Sequence, residues 1–229
     1  RGSRADRGDL LSMLLAAQEE GTGEGMGDQQ VRDEVMTIFL AGHETTANAL
    51  SWAFYLLARH PEAYARVRAE ATSVLGGRVA TTADLPRLGY ALQVFKETLR
   101  LYPPAYLTSR LAERDVEIGG HHVAAGTDVM TNIHAMQRRP EYFPDPASFD
   151  PDRFEPEAEK RIPKGAYVPF GAGSRVCIGN AFAMMEGQMN LATLSHRVEF
   201  SLVRQGEIDP EPLVTLRPAG GVPVRVRRL

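Results

Sequence analysis

Between Asp28 and Arg59 the chain has no proline and a single glycine, Gly42, so the segment reads as one uninterrupted helix. At about 32 residues and 1.5 Å per residue it would extend ~48 Å, enough to cross a whole domain. Shorter helices flank it. A segment opening at Asp9 and Leu10 is amphipathic, and the run Gly21, Gly23, Gly25, Gly27 ends it in a flexible loop. Pro61 starts another helix, which Gly76 and Gly77 close. A further one begins near Pro86 and reaches Arg100, where Pro103 and Pro104 forbid its continuation. The pattern then changes to short β-rich pieces at residues 106–108, 116–118, 122–123 and 128–130, which predict a small sheet with Gly119-Gly120 as a hairpin turn. Residues 140–169 hold seven prolines and no regular period, too long for an idle connection, so they are functional or wrapped on the surface. Helix returns over 180–194, and a few closing strands follow between 198 and 226. The fold class is mainly α with small β-sheets.

Composition narrows the function. With 43% hydrophobic and 24% charged residues among 229, this is the make-up of a soluble globular chain with a substantial core. Its 26 Lys+Arg against 29 Asp+Glu, with no basic block, argue against a nucleic-acid surface or a polybasic membrane patch. The apolar run at residues 35–42 is far short of the roughly 18 residues a membrane span needs, and residues 1–9 are charged rather than leader-like. A single cysteine, Cys177, excludes an intrachain disulfide and a Cys-rich zinc site, and points to a reducing, cytoplasmic location. That thiol is inert, reactive or a ligand.

Its surroundings favour a ligand. Phe170-Gly171-Ala172-Gly173-Ser174-Arg175-Val176-Cys177-Ile178-Gly179 places three glycines and a cation around the sulfur just ahead of a helix. Glycines let a flat ligand approach the backbone, and a helix start and Arg175 both favour a thiolate. A buried structural thiol in a turn is the bland alternative. A dinucleotide fingerprint fails because its third glycine would fall on Val176. Within the long helix, Ala41-Gly42-His43-Glu44-Thr45-Thr46 combines a mid-helix glycine with two β-branched residues, a locally weakened stretch where a kink would set an acid beside an alcohol. A zinc reading of His43-Glu44 fails because Ala47 stands where the second histidine is needed. The alternative there is two polar residues on a solvated face. Glu97 and Arg100, three apart, can pair on one helix face, which is common and worth little when exposed. Arg153, in Pro151-Asp152-Arg153-Phe154, is ordinary by itself.

Taken together and in this order, these four motifs resemble the cytochrome P-450 family of haem-thiolate monooxygenases, over essentially the whole chain. The resemblance implies haem b (iron protoporphyrin IX) with Cys177 as the axial iron ligand, whose thiolate promotes O–O cleavage. It implies that Phe170, Gly171 and Gly179 shape the ligand loop, that Arg175 and Arg110 pair with the haem propionates, and that Glu97, Arg100 and Arg153 form a buried structural cluster. Glu44 and Thr45 match the distal acid–alcohol pair, with Thr46 a lesser candidate. Ala41 and Gly42 lie over the haem face. Leu40, Ala41, Pro104, Ala105 and Tyr106 match positions that shape a substrate pocket. His43, His134, His121 and His122 match no family role.

The implied activity is hydroxylation or epoxidation of an apolar small molecule with O2. Electrons would come ultimately from NAD(P)H through a separate ferredoxin or flavodoxin-type donor. The resemblance also implies that residues 1–229 are the carboxy-terminal portion of a single catalytic domain whose amino-terminal half is absent. The matching expectations are that this chain alone is a catalytically incomplete fragment, haem-free or haem-binding, and that it associates with that half, self-associates or loses haem.

Overall fold

The structure, a computed structural model, describes residues 7–18, 23–204 and 206–229. It divides into two compact units, Arg1–Glu44 and Thr45–Leu229.

In the first unit, α1 (Leu10–Ala16) starts at Asp9, whose carboxylate accepts the Ser12 N–H at 2.8 Å. That satisfies one of the amides left open at a helix start. Part of the predicted glycine loop, residues 21 and 22, lies outside the described residues. The helix α2 (Asp28–Arg59) begins where the sequence places it and continues into the second unit. It runs unbroken through Gly42, Thr45 and Thr46, where weakening was expected. The propensity deficit of a mid-helix glycine is about 1 kcal/mol. Burial of the turns that follow, at Ala49, Trp52, Ala53, Leu56 and Leu57, outweighs it.

The second unit is built on α3 (Pro61–Leu75), α4 (Gly89–Leu101) and α7 (Asn180–Arg197), packed with the later turns of α2. Alanines 49, 53, 63, 71, 91 and 192 are buried in this core and bring the helices close, while Val67, Val94, Phe95 and Leu191 fill the space between. At Gly187 the approach is closest: a Cβ there would stand 2.4 Å from the Phe95 ring. Trp52 is fully buried, stacks on Tyr102 at 3.9 Å and donates its indole N–H to Leu216 O at 3.1 Å.

The structure differs from the sequence reading at the start of the third long helix, in the small sheet and in the proline-rich stretch. Pro86 does not start α4 but sits inside a 3-10 turn, Thr82–Arg87, and the helix begins at Gly89. Asp84 organises that turn by accepting the Thr81 N–H and hydroxyl, and the paired guanidinium of Arg78 holds its carboxyl well below the usual carboxylate range. The first amides of α4, at Tyr90 and Ala91, are capped at 2.7 and 3.0 Å by Glu70 of α3. The predicted single sheet is two separate two-stranded sheets. β1 (Leu107–Leu111) pairs antiparallel with β4 (Asp128–Asn132), and β2 (Val116–Ile118) pairs with β3 (His121–Val123) across Gly119-Gly120. The proline-rich stretch holds a 3-10 turn, Pro151–Phe154, and α6 (Pro156–Glu159), preceded by α5 (Ile133–Met136). The closing strands are β5 (Val198–Leu202) with β8 (Val224–Arg228), and β6 (Pro210–Pro212) with β7 (Leu216–Pro218).

Candidate functional site

Glu97 and Arg100 lie on α4 and are both fully buried. Arg100 donates through Nε and Nη2 to the two carboxylate oxygens of Glu97 at 2.7 and 2.8 Å. Its remaining donors reach the carbonyls of Gln137, Pro146 and Ser148 at 3.0, 2.8 and 3.0 Å, so the whole guanidinium fork is satisfied. Glu97 also accepts the Asp150 N–H at 3.0 Å and has Arg153 Nε 3.5 Å away. Burial raises its carboxyl above the ordinary range, while Arg100, Arg153 and the Asp150 amide pull against that. The structure therefore brings Glu97, Arg100 and Arg153 together and wraps them in carbonyls from Gln137 and the proline-rich segment.

The same segment leads directly into the cysteine loop. Tyr167 donates to Lys96 O at 3.1 Å, and Lys96 pairs with Glu159 of α6 at 2.6 Å. Burial pushes the Tyr167 phenol well above its ordinary value, so it stays a neutral donor. The Val168 N–H donates to Gln137 Oε1 at 2.9 Å. Phe170 packs on the helical core. Gly171 and Gly173 then take φ of +74° and +75°, a left-handed backbone that side-chain-bearing residues rarely adopt. The loop closes through the Gly171 N–H to Val168 O and the Cys177 N–H to Phe170 O, both at 2.9 Å. Gly179 forms the N-cap of α7, and a Cβ there would meet the Cys177 sulfur at 3.9 Å.

Cys177 ends up exposed. Apolar side chains beside it are also exposed, Val176 by 46%, Ile178 by 98% and Phe182 by 64%. Arg175 is exposed and has no ion-pair partner among the described residues. Arg110 on β1 is exposed, donates to Thr108 Oγ1 and Ser109 O, and lines an open depression of about 430 Å³ with Thr108 and Thr131. Pro104 is buried and its carbonyl accepts the Leu216 N–H at 2.9 Å. Ala105 is exposed, and the half-buried Tyr106 donates its hydroxyl to Leu213 O at 2.9 Å. In the first unit Leu40, Ala41, Gly42 and Glu44 are exposed positions on α2; in the second, Thr45 is half-buried and Thr46 buried.

Sequence reasoning did not single out Gln137, Val168, Tyr167 or Lys96. Their bonds run between side chains and backbone 31 to 71 residues away, and no spacing rule signals them.

The family model for cytochrome P450 matches residues 2–222. The chain belongs to the cytochrome P450 family. It is 47% identical to cyclooctatin synthase of Streptomyces melanosporofaciens over 92% of its length and 46% of that protein's. It is 46% identical to cyclooctat-9-en-7-ol 5-monooxygenase of the same organism over 86% of its length and 43% of that protein's. The crystal structure of the cytochrome P450DA haem domain superposes with a TM-score of 0.90 at 34% identity, over 97% of this chain and 50% of that one. The chain thus spans about half the length of the relatives it matches.

The cofactor of a cytochrome P450 is haem, and the loop fits one. Among the described residues no three His, Cys, Asp or Glu side chains converge as a metal site. Val176, Ile178 and Phe182 offer exposed apolar surface and Arg175 an exposed cation without an ion-pair partner among the described residues, a setting that suits a flat apolar group bearing carboxylates.

Proposed function

We propose that the protein is a haem b-dependent monooxygenase that hydroxylates or epoxidises an apolar small molecule such as an unsaturated alcohol. The observation that carries this reading is the exposed Cys177 thiol at the start of α7, held on a glycine loop among uncovered apolar side chains. The substrate class is supported by the name of the relative cyclooctat-9-en-7-ol 5-monooxygenase. When bound, the haem supplies oxygen activation at its iron, and O2 is the co-substrate. Electrons derive from NAD(P)H through a separate ferredoxin or flavodoxin-type donor. The lone cysteine favours a cytoplasmic location.

Each residue has a stated task. Cys177 binds iron through its sulfur, and the Gly171 and Gly179 backbone with Phe170 orients that sulfur. Arg175 and Arg110 take the haem carboxylates. Ala41 and Gly42, which carry no bulky side chain, would leave room for the cofactor. The Thr45 hydroxyl holds a proton that the Glu44 carboxyl replenishes. Leu40, Ala41, Pro104, Ala105 and Tyr106 contact substrate and exclude water. Glu97, Arg100 and Arg153 support the loop from beneath. Residues 1–229 correspond to the carboxy-terminal portion of one catalytic domain.

Thr45→Ala tests the assignment: substrate affinity should stay nearly intact while reducing equivalents divert to hydrogen peroxide. An unchanged product-to-peroxide ratio removes Thr45 from the proton path.

A second reading holds that this chain alone turns nothing over, with or without haem. The 48, 63 and 62% exposure of Met36, Phe39 and Leu40 favours it, because such surface is normally covered by further protein or a second copy. Product formation by a monomeric 229-residue sample supplied with haem and a surrogate donor would count against it.

A further inference from the structure

We propose that Gln137 is the positioning residue that registers the entrance of the Cys177 loop against the buried Glu97–Arg100 pair. The proposal rests on the reading of Cys177 as the haem ligand for its consequence, but not for its geometry. Gln137 is fully buried just after α5, and both ends of its amide are used. Its Nε2 donates to Leu99 O and Arg100 O at 3.0 and 3.1 Å, and its Oε1 accepts the Val168 N–H at 2.9 Å. Its backbone carbonyl accepts Arg100 Nη1 at 3.0 Å. The end of α4 therefore grips Gln137 by side chain and backbone together, and the remaining acceptor reaches forward to the loop. From Val168 the path is short: Val168 O accepts the Gly171 N–H and Phe170 O accepts the Cys177 N–H, both at 2.9 Å.

The chemistry required here is specific. One end of the side chain must donate to carbonyls and the other must accept from an amide, which a primary amide does and a carboxylate does not. A carboxylate would turn an oxygen toward Leu99 O and Arg100 O. An apolar residue would leave those carbonyls and the Val168 N–H unpaired in the interior. Either change should loosen residues 168–177 while the helical core, which does not depend on these bonds, stays closed.

Amide hydrogen exchange of the chain without haem, parent against Gln137→Glu and Gln137→Met, reads this directly. Exchange at Gly171 and Cys177 should quicken by about tenfold or more in both variants, while amides of α3 and α7 stay within about twofold of the parent. In haem-loaded samples both variants should retain haem but lose part of the thiolate-type Soret band after reduction under carbon monoxide. Unchanged exchange at Gly171 and Cys177, or an equal rise throughout α3 and α7, would overturn the proposal. A further measurement needs no variant. In the parent, Val168, Gly171 and Cys177 should open with one common free energy, and a Val168 amide that exchanges well ahead of the other two would also overturn it. Failure of the parent to show a thiolate-type band counts against the haem reading alone, because the exchange measurements do not involve haem.

Discussion

Arg100 illustrates how burial changes what an ion pair is worth. The same i,i+3 pair on a solvated face would contribute about 0–1 kcal/mol. Here both partners are fully buried, and losing one leaves an uncompensated charge in the interior. Arg100→Ala is accordingly predicted to cost about 3–5 kcal/mol, a melting shift of roughly 6–20 °C, measured by thermal unfolding. A shift of a degree or two would contradict the burial argument. His134 gives a prediction of the opposite chemistry. Burial, with Arg138 nearby, lowers its pKa to about 4 from 6.5. The fold then binds fewer protons than the unfolded chain between those values, so stability present above pH 6.5 is lost as pH falls toward 4. With solvent screening allowed for, the loss is about 1–2 kcal/mol. His134→Gln should flatten this part of the pH profile of urea unfolding; an identical slope in the variant would contradict it.

At the scale of elements, what was legible in the sequence was what local chemistry decides. The span of α2 follows from the absence of proline, the start of α3 from Pro61, and the left-handed close at Gly76 from glycine. The start of α4 was not legible, because its cap is Glu70, twenty residues upstream and on another helix. Glu70→Ala should therefore destabilise α4 by about 1 kcal/mol, with the amides of Tyr90 and Ala91 losing protection first. Equal protection of those amides in the variant would argue that the cap is incidental. The Glu97-x-x-Arg100 spacing was visible, but its burial was not, since the covering carbonyls come from Gln137, just after α5, and from residues 146 and 148 of the proline-rich stretch. Gly187 sets two effects against each other. Helix propensity favours Gly187→Ala by about 1 kcal/mol. The added Cβ would stand 2.4 Å from a Phe95 ring that is 1% exposed and has nowhere to retreat. Overpacking of about 1–3 kcal/mol should win, lowering the urea midpoint, and Phe95→Leu in the same chain should recover part of it. A stabilised Gly187→Ala would show that the ring moves freely.

For the molecule as a whole, the family was legible because its chemistry is concentrated in short motifs, while the elements that support those motifs come from dispersed positions. Cys177 stood out as the sole thiol in a glycine-rich loop. The path that holds this loop, through Gln137 and Val168, appears only in three dimensions. The proposed function requires the exposed Cys177 sulfur to bind the iron of a haem. The most direct test is the absorption spectrum of the haem-loaded, reduced, carbon monoxide-treated protein beside that of Cys177→His. The parent should show a Soret band well to the red of imidazole-ligated haem, and the variant a shift to the imidazole position. The same spectrum from both proteins would contradict it.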